Sequence, residues 1–246
     1  MRREYSKWHS EQLGREMEFL SFMCEEGTRA NGEPTGAPVV VFPTSGGRFF
    51  EFEDRGMVAA LAEKIESGQL QLYCLDSVDL ESWYDRGGAG RVRIERQMAY
   101  ERYVLEEVLP RVRESAGGAL PLATGCSFGG YHAANIVLRH PEVFAGFVAL
   151  SGVFNLVGFL DGYYDTDCYL NLPTHYLPNL TEARYLEAYR RCRFVLAAGA
   201  DDQCLSENQH LDRVMIEAGI AHEFHVWNGL RTHDWPTWKK MAQEYF

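Results

Sequence analysis

The stretch that most restricts how this chain can fold is Leu120-Pro121-Leu122-Ala123-Thr124-Gly125-Cys126-Ser127-Phe128-Gly129-Gly130-Tyr131-His132-Ala133-Ala134. An apolar start, a cluster of glycines and small residues after them read as a short buried strand, a sharp turn and the opening of a helix. Ser127 sits at the turn between Gly125 and Gly129. Glycine is needed on both sides because a strained serine at such a corner leaves no room for neighbouring β-carbons. The corner lifts the hydroxyl clear of the sheet. It also aims the first helical N–H groups, chiefly that of Phe128, at the place where a carbonyl oxygen would become an oxyanion. A pattern this short also arises by chance, so the reading requires a base and an acid elsewhere in the chain.

Composition narrows what that chemistry serves. A length of 246 residues suits one large α/β domain spanning 1–246, and 46% hydrophobic with 24% charged residues is the balance of an ordinary globular protein. The formal net charge of −11 repels phosphate backbones and anionic membrane surfaces, and no Lys/Arg cluster overrides it locally. Neither nucleic acid nor a membrane is expected as a partner. The basic first residues lack an apolar core region, so no secretory signal is read there, and no apolar run approaches a membrane span. A cytoplasmic location is the expectation. Six cysteines without C-x-x-C spacing are expected to be reduced thiols. Strand alternation points Cys126 away from Ser127, which argues against a cysteine nucleophile.

Along the chain, residues 16–24 read as a first strand, and the Gly-, Pro- and Asn-rich segment 26–38 as a turn. Residues 39–42 form a continuous apolar run, the mark of a strand buried on both faces, and 44–48 a flexible loop after it. A helical period covers 54–66, and 70–75 alternates as a strand. The loop 76–84 then lies at a carboxyl strand end, where α/β sheets place ligand sites, making Trp83 and Tyr84 candidate pocket residues. Residues 91–114 read as one long amphipathic helix with Pro110 near its end. The helix after Ser127 runs to Pro141, with His132 packing within it, and 144–151 is the next strand. From 152 to 190 the alternation breaks down among aromatics and prolines, which suggests a small cap insertion whose tyrosines and His175 could touch a substrate. Strands at 193–199 and 222–227 follow, each leading through a loop into a helix.

Strands alternating with helices imply a mostly parallel central sheet with helices on both faces. Ser127, Asp202 and His233 come in the order Ser, acid, His, each just past a strand's carboxyl end, the arrangement of an α/β-hydrolase fold. A serine hydroxyl needs an imidazole to take its proton, and the imidazole needs a carboxylate to hold its tautomer. His233 is the candidate base, ahead of His222 and His225, which lie within the last strand. Asp202 on the tight turn after Gly199 is preferred as the acid, with Asp201 its adjacent rival.

On these residues the chain resembles the putative esterase group of α/β-hydrolases, which includes esterase D (S-formylglutathione hydrolase), feruloyl esterases and mycolyltransferases. The resemblance runs through Val40-Val41-Phe42-Pro43-Thr44-Ser45-Gly46-Gly47, the serine turn, Pro141-Glu142-Val143-Phe144, Gly199-Ala200-Asp201-Asp202-Gln203 and Thr232-His233-Asp234-Trp235-Pro236. It implies that the second aspartate of the Asp-Asp pair is the acid, and that the backbone N–H of Ser45 joins that of Phe128 as oxyanion donor. Thr44 stands where relatives often have glycine, and Phe128 where methionine or leucine is usual. These departures bear on acyl-group size rather than on mechanism. The resulting expectation is a serine carboxylic-ester hydrolase forming an acyl-enzyme, with no metal or cofactor, acting on a small-molecule ester or thioester. A thioesterase or an acyltransferase would use the same three residues. A catalytically silent binding or scaffold protein on the same fold is the alternative of a different class. Homo-oligomers are compatible with all of these.

Overall fold

The computed structural model describes residues 1–25, 36–229 and 232–246. Most of the expected turn over 26–38 therefore lies outside the described residues, as does Arg231 in the loop before His233. The strands are Arg2–Ser10 (β1), Arg15–Met23 (β2), Ala37–Phe42 (β3), Leu70–Leu75 (β4), Leu122–Cys126 (β5), Gly146–Leu150 (β6), Arg193–Gly199 (β7) and Glu223–Trp227 (β8). They form one sheet in the order β1-β2-β4-β3-β5-β6-β7-β8. β1 and β2 run antiparallel to their neighbours, whereas β4, β3, β5, β6, β7 and β8 are mutually parallel. The helices are Glu51–Asp54, Met57–Ala60 and Ala62–Glu66 (α1 to α3), Gly90–Arg102 (α4), Leu109–Ser115 (α5) and Phe128–Arg139 (α6). Thr166–Leu170, Pro173–Tyr176 and Ala183–Tyr189 (α7 to α9), Leu205–Glu217 (α10) and Trp235–Tyr245 (α11) complete them.

Two cores result from the period-2 alternation of the parallel strands. Val40, Phe42, Phe147, Ala149, Phe194 and Leu196 pack on one face with residues of α4, α5, α6 and α10. Their neighbours Val39, Val41, Val148, Leu150, Val195 and Ala197 pack on the other with α2, α3 and α11. The expected mostly parallel sheet with helices on both faces is thus what forms. Cys126 belongs to the second core and Phe128 to the first, so the two residues flanking Ser127 anchor it to opposite faces.

Three local features depart from expectation. β1 was not read from the sequence because its side chains are largely exposed and charged, so it carries no buried alternation. It pairs along its whole length with β2, and its charges suit an edge strand that must not recruit another. The helix expected over 54–66 is broken into three short turns, with Gly56 in the left-handed region at φ 75°. The long helix over 91–114 widens into a π-helical turn at Tyr103–Val108, just before Pro110, whose missing N–H and ring disfavour regular α-helical bonding.

All six parallel strands end at the same edge of the sheet. That edge gathers the loop after β3, the segment 76–84 after β4, the corner after β5 and the loops after β7 and β8.

Candidate active site

Ser127 follows β5 at φ 55° and ψ −119°, a conformation that L-residues avoid unless the surroundings impose it. The surroundings here are rigid. A β-carbon on Gly125 would stand 2.3 Å from the Gly129 carbonyl carbon, and one on Gly129 would stand 2.3 Å from the Phe42 carbonyl oxygen. The Ser127 N–H donates to the Leu150 carbonyl at 2.9 Å, and its own carbonyl accepts from Gly130 at 3.0 Å and Val153 at 3.2 Å. The strain is held in place by backbone on every side.

His233 reaches Ser127 from the loop after β8. Its Nε2 lies 2.9 Å from Ser127 Oγ, and its Nδ1 lies 2.9 Å from Asp202 Oδ1. A carboxylate only accepts, so this geometry assigns the proton to Nδ1 and leaves Nε2 free to take one from the serine. Trp238 sets its ring edge-on to the imidazole at 4.9 Å, and its indole N–H donates to Ser151 Oγ at 2.9 Å. Asp234 caps α11 by accepting from the Trp235 N–H at 2.7 Å, which ties the imidazole-bearing loop to a helix.

Asp202 is 6% exposed. Burial pushes its carboxyl up, but hydrogen bonding to His233, the Ser151 hydroxyl and the Cys204 N–H together hold it below the ordinary carboxylate value. It therefore stays ionised at neutral pH. The adjacent Asp201 is exposed, and it is Asp202 that meets the imidazole. The two other histidines weighed as bases are engaged elsewhere, His222 with Asp212 and His225 with Glu223, and His175 of the cap meets Tyr164.

The loop after β3 adjoins the serine corner, with Gly129 against the Phe42 and Pro43 carbonyls. Tyr84 donates from its hydroxyl to Ser45 Oγ at 2.7 Å, and its ring lies 5.1 Å from Phe128 and 5.0 Å from Phe159. Among the described residues neither the Ser45 N–H nor the Phe128 N–H donates to another group. Tyr84 thus borders both candidate oxyanion donors. Trp83 does not: it is 1% exposed, donates to Gln97 at 3.1 Å and packs edge-on against Tyr131. The expectation that it lines a pocket is corrected, because the chain turns Trp83 inward where Tyr84 turns toward the site.

Sequence reasoning missed the side chains that hold this loop. Asp79 is fully buried, accepts from the Gly46 N–H at 3.1 Å and meets His132 Nε2 at 2.9 Å. No spacing rule links Asp79 to a loop 33 residues upstream. Its position just past β4 was the one available signal.

One group of three potential metal-ligating atoms occurs among the described residues, on Asp202, Cys204 and His233. The donor chemistry fits a metal poorly. Burial pushes the Cys204 thiol up to about 12, and Asp202 Oδ1 already accepts from both His233 and the Cys204 N–H. Cavities occur elsewhere as well. A groove of about 630 Å³ lined by Leu105, Pro110, Arg113, His140 and Val143 shares no residue with this cluster. A second of about 330 Å³ lies between Phe154, Val157, His175, Glu207 and His210, and is the one that His175 faces.

No curated protein matches the sequence. Solved structures do match by shape. A ferulic acid esterase superposes with a TM-score of 0.77 at 18% identity, covering 99% of this chain and 96% of its own. An S-formylglutathione hydrolase from Agrobacterium tumefaciens gives 0.74 at 16% identity, covering 99% and 92%. Mycobacterium tuberculosis MPT51 (FbpC1) gives 0.71 at 12% identity, covering 99% and 96%. Likeness at these identities shows the fold, that of the α/β-hydrolases. The sequence profile of the family described as "Putative esterase" matches residues 77–243, more than half of the chain, and the protein therefore belongs to the putative esterase family.

Proposed function

We propose that the protein is a serine carboxylic-ester hydrolase in which Ser127 is the nucleophile, His233 the general base and Asp202 the residue that orients it. The observation that carries this reading is the continuous pair of 2.9 Å contacts from Asp202 through His233 to Ser127. In the first half-reaction His233 Nε2 takes the Ser127 proton as Oγ attacks the ester carbonyl, and the oxyanion is held by the Phe128 and Ser45 N–H groups. Collapse breaks the carbonyl–oxygen bond, and the imidazolium returns its proton to the departing alcohol. Water repeats the sequence on the acyl-enzyme, releasing the acid and restoring the serine.

The substrate class is a small-molecule ester or thioester. Residues 152–190 act as a cap of the single domain 1–246: Phe154, Leu156, Leu160 and Leu172 are buried in the core that carries Phe128, and Phe159 stands against Tyr84. Six free thiols suit a reducing compartment, which favours the cytoplasm. The test is hydrolysis of p-nitrophenyl acetate together with covalent labelling by an organophosphonate, in the parent and in Ser127→Ala. Both signals are expected to vanish in the variant while its thermal melt is retained. Undiminished labelling would place the nucleophile elsewhere.

A further inference from the structure

Each residue of the loop 44–47 is held by a side chain from another element. Thr44 donates twice to Glu51, from its N–H at 2.8 Å and its hydroxyl at 2.7 Å. Ser45 accepts from Tyr84, Gly46 donates to Asp79 at 3.1 Å, and the Gly47 carbonyl accepts from the Ser77 hydroxyl at 2.9 Å. Of these tethers, Asp79 differs in kind. It is 0% exposed, and its second oxygen meets His132, itself 3% exposed, on the opposite side. His132 belongs to α6, the helix that begins at Phe128, and its ring lies 5.1 Å from the Phe128 ring and 5.7 Å from Phe42, at the end of β3. One buried acid–imidazole pair thus touches the loop carrying one candidate oxyanion donor and the helix carrying the other.

We propose that Asp79 and His132 are positioning residues that set the separation between the Ser45 and Phe128 N–H groups. The proposal rests on the esterase reading above and adds a second His–Asp pair with a different task. The loop after β3 has a glycine in the left-handed region, Gly46 at φ 63°, so its backbone alone does not determine where the Ser45 N–H points. A hydrogen bond from the very next N–H to a buried carboxylate does, because losing it would leave that fully buried carboxylate with one partner fewer. His132 completes the arrangement by donating from Nε2 to the other oxygen, which fixes the carboxylate plane. Donors held in advance need no reorganisation as charge develops on the carbonyl oxygen, so the benefit falls on turnover rather than on substrate binding.

The test is steady-state hydrolysis of p-nitrophenyl acetate by the full chain carrying Asp79→Ala, Asp79→Asn, His132→Leu or Ser127→Ala. Asp79→Ala is expected to lower kcat about 100-fold, the scale of losing one oxyanion donor, with KM within about threefold. Asp79→Asn should recover about tenfold of that loss, since its amide oxygen still accepts from Gly46. His132→Leu, apolar and of similar size, should lower kcat about tenfold with KM unmoved. A folded Asp79→Ala enzyme with kcat within about threefold of the parent overturns the proposal, and so does a loss carried by KM alone. If Asp79→Ala does not fold, His132→Leu decides, and parental kcat in that variant overturns the proposal. Ser127→Ala separates the two levels of inference. Activity surviving there removes the esterase reading and this proposal with it, whereas an inactive Ser127→Ala beside a fully active Asp79→Ala removes the positioning role alone.

Discussion

Two regions of this molecule carry the proposed oxyanion donors and are held in place by opposite means. The corner at Ser127 is built by exclusion. Its glycines lie so close to neighbouring backbone that a β-carbon at Gly125 or Gly129 would come within 2.3 Å of a main-chain atom, and the strained serine has nowhere else to go. The loop at Ser45 is built by attachment. Glu51, Tyr84, Asp79 and Ser77 each take one residue of it, and three of the four come from the segment after β4. Steric exclusion acts between residues close in sequence or in directly adjoining strands and tolerates no compromise. Tethering acts across the fold and can be loosened one bond at a time. The first region should therefore fail all at once under substitution, and the second by degrees.

The largest effect is expected in neither region, and it calibrates both. Asp202→Asn should lower kcat by roughly 10³–10⁴ through loss of the imidazole tautomer, while the exposed Asp201→Asn stays within about threefold. A reversed ranking in p-nitrophenyl acetate turnover would break the assignment of the acid. Next, Gly129→Ala attacks the corner directly. Overpacking of this kind costs about 1–3 kcal/mol. For a chain of this size each kcal/mol lowers Tm by about 2–4 °C, so a drop of roughly 2–12 °C is expected, with kcat down at least about 100-fold. A variant that melts and turns over like the parent would show that exclusion is not what shapes the serine turn.

A smaller effect should come from Tyr84→Phe. It removes one hydroxyl tether, the 2.7 Å bond to Ser45, while keeping the ring against Phe128 and Phe159. A fall of about three- to tenfold in kcat is expected, and a loss as large as that of Gly129→Ala would erase the contrast between the regions. The smallest concerns pH. Asp202 titrates lower folded than unfolded, so its contribution to stability is present above the unfolded value of about 3.9 and is lost as pH falls through the lower folded value. Urea denaturation should show the parent losing stability relative to Asp202→Asn as pH drops below about 4. A constant difference between the two would contradict the depressed value.

How far the site was legible follows the same division. Ser127, its glycines and the strand-turn-helix around it could be read because the steric rule acts within five residues. The order Ser, acid, His could be read because the first two residues follow apolar strands and the third follows a strand that alternates apolar and polar residues. The choice between Asp201 and Asp202 could be stated but needed the fold, since adjacent residues on a turn point in different directions and only one direction meets His233. Trp83 and Tyr84 show the same limit: both are aromatic, both lie past β4, and one is interior while the other borders the site. β1 escaped notice because an exposed edge strand has no apolar period to detect.

The amino-acid sequence by itself pointed to the parallel sheet, the strained serine, one candidate base and two rival candidate acids. Apolar alternation, glycine sterics and the proton chemistry of imidazole are properties of short stretches and single side chains. Only the tertiary structure decided that Asp79 and His132 form a buried pair between the loop after β3 and the helix after β5. The residues involved are distant in sequence, and each taken alone is an unremarkable polar side chain. What joins them is strand order: β3 lies between β4 and β5, so the segment after β4 and the helix after β5 meet across the end of β3.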